Sequence, residues 1–183
     1  YQLDALRCVR PVAEVVAWNR SPARLERFLD MVRERGLRCR AAGLEETVRS
    51  ADIIVTASSG PAALVERGWV QKGTHINAMG TDTAGKQELD PALVGAADVY
   101  VDSPEQAISI GECQHAARLG LLPADLGQRT LGGLVSGRLG GRTDATAITL
   151  FDSTGIALQD LAVASLAVRR AVERGHGTNI SFT

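Results

Sequence analysis

The run DIIVTA at residues 52–57 constrains the fold of this chain more than any other segment. Its consecutive apolar positions predict a strand buried on both faces, as in parallel sheets that carry helices on both sides. Similar short runs, separated by helical patterns, occur at residues 14–18, 37–41, 73–79, 99–102 and 147–151. Because these intervals are those of βαβ units, the sequence predicts a doubly wound α/β fold with a mainly parallel sheet.

Helical patterns fill most of the intervals. Residues 2–9 resemble the end of a helix, and Ser21-Pro22 offers an N-cap followed by proline at the first helical position. That helix is predicted to stop at Gly36. Further helices are predicted at residues 44–49, from Ser103-Pro104 to about residue 119, and at residues 156–174, where small and apolar residues suit close packing. The final HGTNISF is a possible last strand.

Composition and charge exclude several function classes. The chain has 183 residues, of which 45% are hydrophobic and 22% charged, as in an ordinary globular protein. A net charge of −1 and an aromatic content of 4% offer neither a basic surface nor a stacking platform, so no nucleic-acid partner is expected. No apolar run approaches about 18 residues, so no membrane segment is expected either.

The cysteines and histidines predict no metal site. Cys8, Cys39 and Cys113 are widely spaced and form no C-x-x-C pair. We expect buried thiols in a reducing compartment, and therefore a cytoplasmic protein. The three histidines show no ligand spacing, and His75 and His115 are expected to have structural roles.

The segment His75–Asp90, HINAMGTDTAGKQELD, is the strongest candidate for a ligand site. A predicted strand ends there, and open α/β sheets bind ligands at the carboxyl ends of their strands. Asp82 and Lys86 place a candidate acid/base beside a cationic, phosphate-sized site. The residues alone leave two alternatives: Asp82 could cap a helix that begins near Ala84, and Lys86 could be a solvated loop lysine.

Three other acidic residues have structural interpretations. Glu112 is expected to be a salt-bridge partner on a helix. Asp152 and Asp160, which flank a candidate loop at Ser153, are expected to make helix-end and packing contacts.

The residues after the strand at 14–18 bear on cofactor choice. In a dinucleotide-binding fold this strand end meets the adenosine ribose. An acidic residue there would accept from a 2′-hydroxyl, whereas Asn19, Arg20 and Ser21 can all donate to a 2′-phosphate. These residues therefore favour NADP(H), with NAD(H) still possible. The alternative is an ordinary helix cap preceded by a surface arginine.

No glycine-rich phosphate loop is present. The sequence contains no G-x-G-x-x-G between a predicted strand and helix, and Gln87 after Gly85-Lys86 excludes a Walker-type loop. We therefore expect the chain to begin within the first helix of such a fold. The first strand and its phosphate loop would then lie upstream of Tyr1.

Several motifs together resemble the ornithine cyclodeaminase/μ-crystallin family. They are DIIVTASS, GTHINAMGTDTAGKQELD, VYVDSPEQA and ITLFDSTGIALQDLAVA, in order along essentially the whole chain. The resemblance implies a Rossmann-type domain, here residues 1–155 without its first strand. It also implies a homodimer and a substrate and dimerisation domain, encoded mainly upstream, to which residues 156–183 return.

The resemblance also implies roles for individual residues. It assigns Asp82 as the general acid/base and places Thr154 against the substrate. The cofactor contacts that it implies are Asn19, Arg20, Ser21, Ser58, Met79, Gly80, Thr81, Lys86 and Ser153.

The implied activity is NAD(P)-dependent chemistry on an amino acid or its cyclic imine. One form is ornithine cyclodeaminase, a lyase that converts ornithine to proline and ammonia. Another is a ketimine reductase that acts on Δ1-pyrroline-2-carboxylate. An alanine-dehydrogenase-like oxidoreductase and a non-catalytic, NADPH-binding crystallin-like protein are the alternatives. Since the family's residues for the substrate carboxylate lie in N-terminal sequence, we expect residues 1–183 to be part of a longer enzyme.

Overall fold

The computed structural model describes residues 1–178 and 180. Strands and helices alternate along the chain, as the sequence predicts. The strands are β1 (Glu14–Ala17), β2 (Arg38–Ala41), β3 (Ile53–Thr56), β4 (His75–Ala78), β5 (Asp98–Val101) and β6 (Thr149–Asp152). The helices are α1 (Gln2–Val9), α2 (Pro22–Glu34), α3 (Leu44–Arg49), α4 (Pro91–Ala96), α5 (Pro104–Ser109), α6 (Gln114–Arg118), α7 (Leu131–Val135) and α8 (Ala157–Glu173).

All strand pairs among the described residues are parallel, which confirms the predicted α/β fold. β1 pairs with β2, while β3, β4, β6 and β5 form a four-stranded sheet in that order. Within the part of the chain that the structure describes, β1 pairs only with β2 and β3 only with β4. Each of these two strands therefore has one edge without a strand on it.

The register of the four-stranded sheet brings its carboxyl ends to one edge. Thr56 lies opposite Ala78, Ala78 opposite Asp152, and Asp152 opposite Val101. The loops that follow β3, β4, β5 and β6 therefore all start at this edge, where a parallel sheet presents its binding site.

The core lies on one face of this sheet. Ile54, Ile76, Leu150 and Val99 stand side by side across the four strands, and each is at most 8% exposed. The prediction that residues 52–57 are buried on both faces is wrong, because Val55, on the opposite face, is 38% exposed. The well-buried residues of α4, α5 and α6 belong to the same core cluster as Ile54, so the described helices bury that face preferentially.

Helix α2 begins and ends where its sequence predicts. The Ser21 hydroxyl accepts from the backbone N–H of Arg24 at 3.4 Å, with Pro22 at the first helical position. Gly36 ends the helix in the left-handed region, at φ +72°. This conformation costs glycine little, which is why the chain can turn sharply into β2.

The helix predicted from Ser103-Pro104 to about residue 119 is wrong as a single element. It is interrupted between α5 and α6, where Glu112 and Cys113 are drawn into the core at 1% and 0% exposure. Gly111 permits the break, since a Cβ there would lie 2.7 Å from Asp152 Oδ2 and 2.7 Å from Thr154 Cγ2. The chain thus passes directly under the end of β6.

Helix α8 is confirmed, but it contains no buried residue. Its apolar side chains are exposed, among them Leu158 (67%), Leu161 (62%) and Val168 (64%). The possible last strand, HGTNISF, lies partly outside the described residues. Residues 176–178 and 180 of it are not in a strand.

The cysteines differ in exposure. Cys113 is buried and Cys39 half-buried, but the expectation of a buried thiol is wrong for Cys8, which lies exposed on α1. None of the helices described in the structure has the length and apolar character needed to cross a membrane.

Candidate functional site

The candidate site lies at the carboxyl edge of the four-stranded sheet and centres on residues 79–90, called here the Asp82 loop. Met79 continues from β4, and its backbone N–H donates to Thr56 at 2.9 Å. Thr81, Glu88 and Leu89 are buried, whereas residues 82–85 are exposed. The loop is therefore anchored at both ends and presents its middle to solvent.

Asp82 and Lys86 form an ion pair on the exposed part of the loop. Lys86 Nζ lies 2.6 Å from Asp82 Oδ1, and the Asp82 side chain is 59% exposed. Hydrogen bonding from Lys86, with a further bond from the Thr83 hydroxyl, lowers the pKa of the Asp82 carboxyl. The helix-cap alternative for Asp82 is wrong, since no helix begins near Ala84. Lys86 does lie on a loop, with a side chain that is partly exposed at 26%.

Glu112 holds the two ends of the Asp82 loop together. Its carboxylate accepts from the backbone N–H groups of Leu89 at 2.7 Å and Glu88 at 3.0 Å, and from the Thr81 hydroxyl. Burial raises the pKa of Glu112 to about 7. The expected salt bridge on a helix is wrong, because Glu112 lies between α5 and α6, where backbone N–H groups take the place of a cation.

Gln114 holds the middle of the loop. Its Oε1 accepts from the backbone N–H of Gly85 at 2.7 Å, and its Nε2 donates toward Lys86 O at 3.1 Å and Thr83 O at 3.2 Å. The residue is fully buried. His115 Nε2 also lies 3.2 Å from Lys86 O, in keeping with its predicted structural role.

Glu88 links the loop to the end of β3. Its carboxylate accepts from Gly80 N–H at 3.0 Å and from Ser58 N–H. A Cβ on Gly80 would meet the backbone oxygen of Ser58 and lie 2.6 Å from Glu88 Cδ. Glycine at this position thus permits the close approach that brings Ser58 and Gly80 together.

The loop after β6 is organised by Asp102. Its carboxylate accepts from the backbone N–H groups of Thr154 at 2.9 Å and Gly155 at 2.8 Å, and from both hydroxyls of Ser153 and Thr154. This arrangement fixes the two residues predicted to face the cofactor and substrate. Asp102 follows β5, so the ends of all four strands, β3 to β6, contribute to the site.

Asp152 connects the β6 loop to the break between α5 and α6. Its Oδ2 accepts from the Cys113 N–H at 3.0 Å, and since Cys113 directly precedes α6 this is a helix-end contact of the predicted kind. Burial raises the pKa of Asp152 to about 6. Asp160 lies in the first turn of α8, at the helix end where it was predicted.

The residues after β1 approach the same edge. Asn19 Oδ1 accepts from Ser21 N–H at 2.8 Å. Among the residues that the structure describes, no hydrogen bond holds the Asn19 amide nitrogen or the exposed Arg20 guanidinium. A Cβ on Gly60 would lie 2.7 Å from Arg20 Nη2, so this arginine reaches the loop after β3. Ser58 Oγ, in that loop, is buried without a hydrogen-bond partner among the described residues.

The structure brings most of the predicted site residues to one edge, in three groups. The first group is Ser58 with Met79 and Gly80, where the loops after β3 and β4 meet. The second is the Asp82–Lys86 ion pair with the neighbouring Thr81, and the third is Ser153 with Thr154 after β6. The sequence interpretation missed Glu88, Asp102 and Gln114 and assigned Glu112 wrongly. A usable signal was present: polar residues directly after Gly111 and directly after the strand pattern at residues 99–101. His75, by contrast, lies at the opposite end of β4, between Thr149 and Asn77.

The sequence and the structure of this chain are both similar to those of known proteins. The family model described as "Ornithine cyclodeaminase/mu-crystallin family" matches residues 1–175. The iminosuccinate reductase of Paracoccus denitrificans is 45% identical over 176 residues, which cover 96% of this chain and 54% of that protein. Its crystal structure with NAD+ has a TM-score of 0.93 at 43% identity, covering 99% of this chain and 56% of that one.

Two other solved structures are similar. An archaeal alanine dehydrogenase dimer with bound NAD has a TM-score of 0.94 at 37% identity and covers 100% of this chain and 57% of that one. The Δ1-pyrroline-2-carboxylate reductase of Thermococcus litoralis, with NADH and L-proline, has a TM-score of 0.92 at 29% identity, covering 98% and 56%. The chain spans about half the length of the curated relatives it matches.

The raised pKa of Glu112 predicts how stability depends on pH. The folded state binds a proton at Glu112 with a pKa of about 7, against an ordinary value of 4.5. The stabilisation that comes from binding this proton is therefore complete below pH 4.5, and it is lost as the pH rises through the folded-state pKa of about 7. Between about pH 6.5 and 8 the free energy of unfolding in urea should fall by on the order of 1 kcal/mol.

Glu112→Gln should remove this fall, while Glu66→Gln, at an exposed position, should preserve it. His75 acts in the opposite direction, because burial lowers its pKa while the unfolded form is still half protonated at its ordinary value of 6.5. Since the wild type and Glu112→Gln share His75, the difference between their free energies of unfolding isolates the contribution of Glu112. A difference in the free energy of unfolding between the wild type and Glu112→Gln that stays constant over this range would show that Glu112 is not a protonated buried group.

Proposed function

Because this chain belongs to the ornithine cyclodeaminase/mu-crystallin family, we propose that it is the nicotinamide-binding part of an imine reductase. The substrate class is a 2-imino acid, cyclic or open-chain, which is reduced to the corresponding amino acid. Two of the three similar proteins described above are named as reductases of such compounds, and the third as an alanine dehydrogenase. A homodimer is part of the proposal, since one of these structures is a dimer.

The observation that carries the proposal is the Asp82–Lys86 pair, with its exposed carboxylate, at an edge where four strand ends meet. The nicotinamide, when bound, supplies the hydride that reduces the imine carbon. The imine nitrogen needs a proton at the same time, and a positioned carboxyl group can hold and deliver one. Asp82 is the exposed carboxyl of the Asp82 loop, and we assign it as general acid/base.

The low pKa of Asp82 in the structure is compatible with this role. Its side chain is 59% exposed, so a cofactor and substrate placed over it would exclude much of its water. Desolvation disfavours the charged carboxylate and raises its pKa, opposing the effect of Lys86. Lys86 then keeps the carboxyl oriented, because its ammonium also lies 3.5 Å from Gly80 O.

The residues at the strand ends fit a nicotinamide cofactor. Ser58 Oγ, buried without a partner among the described residues, is a polar group suited to a ligand beside Gly80. Ser153 is held by Asp102 on the neighbouring loop, where the nicotinamide side is proposed. The proposed cofactor contacts also include the backbone of Met79 and Thr81.

We further propose that the protein prefers NADP(H) over NAD(H), because of the residues that follow β1. Asn19 Nδ2 and the Arg20 guanidinium are donors directly after β1, and residues 18–21 include no acidic side chain. Ser21 itself is partly committed, since its hydroxyl caps α2. A guanidinium favours a 2′-phosphate over a 2′-hydroxyl, because it forms charge-assisted hydrogen bonds with the phosphate.

Residues 1–155 are proposed to form the nucleotide domain, and residues 156–183 to return to a substrate and dimerisation domain. Two observations support this division. The free edges of β1 and β3 can accept a further strand, and α8 exposes apolar residues that a helix normally buries. Thr154, between these parts, is the proposed substrate contact.

Replacing Asp82 tests the catalytic proposal. In the native protein, Asp82→Asn should lower turnover with NAD(P)H and Δ1-pyrroline-2-carboxylate or iminosuccinate by about 10²–10⁴-fold, because the proton donor is lost. Cofactor affinity, measured by nicotinamide fluorescence, should change little. Asp30→Asn is the matched control: Asp30 is 61% exposed and pairs with Arg33 at 2.6 Å on α2, and its loss should leave turnover unchanged.

Turnover that survives Asp82→Asn would contradict the acid/base assignment. Two other activities give different results when ornithine with oxidised cofactor is assayed beside the imine with NADPH. Ornithine cyclodeamination would release ammonia without net cofactor consumption. A crystallin-like binding protein would bind NADPH and consume neither substrate.

Replacing Arg20 tests the cofactor preference. Arg20→Ala should weaken NADPH binding by about tenfold through loss of a charge-assisted contact, and leave NADH binding nearly unchanged. Arg27→Ala, at an exposed position farther along α2, is the control. Equal losses for both cofactors, or tighter binding of NADH than NADPH by the native protein, would overturn the preference.

A further inference from the structure

The break between α5 and α6 has a consequence for the site. The four residues Gly111–Gln114, called here the clamp segment, are the last three residues of this break and the first residue of α6. Two side chains of this segment, Glu112 and Gln114, are directed at the loop and are 1% and 0% exposed. Neither contributes an exposed group, so neither can touch substrate directly.

The two side chains hold the loop at complementary points. Glu112 binds its start, at the Thr81 hydroxyl, and its end, at the backbone N–H groups of Glu88 and Leu89. Gln114 binds its middle, at Gly85 N and Lys86 O. The backbone on both sides of Asp82 is thereby fixed, while the Asp82 side chain stays exposed.

Gln114 acts close to the Asp82–Lys86 pair. Its amide meets the backbone of Gly85, whose φ of +87° makes the turn that folds Lys86 back toward Asp82. The Lys86 carbonyl accepts at 3.1 Å from Gln114, while the Lys86 ammonium lies 2.6 Å from the Asp82 carboxylate. Moving the backbone of residues 85 and 86 would therefore move the ammonium and change the environment of Asp82.

We propose that Gln114 and Glu112 are positioning residues for the general acid/base Asp82. Through the backbone of the loop they set where the Asp82 carboxyl and the Lys86 ammonium lie relative to the reacting nitrogen. This rests on the proposed function. The requirement is geometric: a displacement of about 1 Å far from the chemistry can cost about 100-fold in rate.

The test uses Gln114→Met in the native protein, which keeps the side-chain length and removes both donor and acceptor. The expected result is a kcat lowered by about 10- to 100-fold, with KM for the cofactor within about twofold of the wild type. The pKa of Asp82, followed by carboxyl ¹³C NMR in the absence of substrate, should rise toward its ordinary value as the Lys86 contact loosens.

Two controls separate positioning from loss of stability. Gln71→Met makes the same change at an exposed position outside the site and should leave both readouts unchanged. Leu29→Ala removes a buried side chain of α2 and should lower thermal stability without changing kcat or the pKa of Asp82 at a temperature where it is folded.

Gln114→Glu provides a second variant with a distinct signature. Its carboxyl can still accept from Gly85 N–H, but when ionised it cannot donate to the Lys86 carbonyl. Protonation at low pH restores one donor, so kcat relative to the wild type should recover as pH falls. A purely structural role predicts no such recovery.

The proposal is overturned if kcat and the pKa of Asp82 in Gln114→Met equal those of the wild type, or if only the pKa changes. Failure of the proposed function gives a different result, since turnover would then survive Asp82→Asn. The combination of a lower kcat, an unchanged cofactor KM and a raised Asp82 pKa supports the positioning role.

Discussion

The buried carboxylate of Glu112 is the interaction on which the site depends. The Asp82 loop belongs to no helix or strand, so its buried N–H groups need partners from elsewhere. A buried donor left unpaired costs about 1–3 kcal/mol. Glu112 accepts from two such groups and from the Thr81 hydroxyl, and Glu88 accepts from the N–H of Gly80 in the loop and from that of Ser58 after β3. Glu112 thus fixes the backbone of Glu88, and the Glu88 carboxylate in turn joins the loop to the end of β3.

This arrangement has a cost that appears in the pKa values. Among the described residues, no lysine or arginine forms a salt bridge with Glu88, Glu112 or Asp152. Burial accordingly raises the pKa of Glu112 to about 7 and that of Asp152 to about 6. Each of these carboxyl groups binds a backbone segment that forms part of the site. A change in any of them would therefore alter both the stability of the fold and the geometry of the site.

The fold was largely predictable from local patterns, but the supports of the site were not. Each strand was predicted to within a few residues, because β-branched runs bounded by glycine or proline identify strands locally. Asp82 and Lys86 were predicted as a pair because they lie on one loop. Glu112 meets residues 23–31 positions away, and Asp102 meets Thr154 across 52 positions. Contacts at such separations leave no periodic signal in one sequence.

The break between α5 and α6 at Gly111 is a second feature that local sequence patterns do not predict. Pro104 to about residue 119 has a helical pattern, and helix propensity alone favours its continuation. Tertiary contacts override it, because the backbone here approaches the end of β6 closely: Asp152 accepts from the Cys113 N–H, and a Cβ at residue 111 would lie 2.7 Å from Asp152 Oδ2. Burial in the tertiary structure, rather than local preference, decides the backbone here.

The most direct measurement is a crystal structure of the native protein with NADPH and a non-reacting analogue of a 2-imino acid. If Asp82 is the acid/base, its carboxylate should lie within about 3.2 Å of the substrate nitrogen. The hydrogen bonds from Glu112 and Gln114 to the loop should be unchanged, with Cα shifts below about 1 Å. An Asp82 carboxylate that remains in solvent away from the nitrogen, or a loop released from Glu112 on binding, would contradict this expectation.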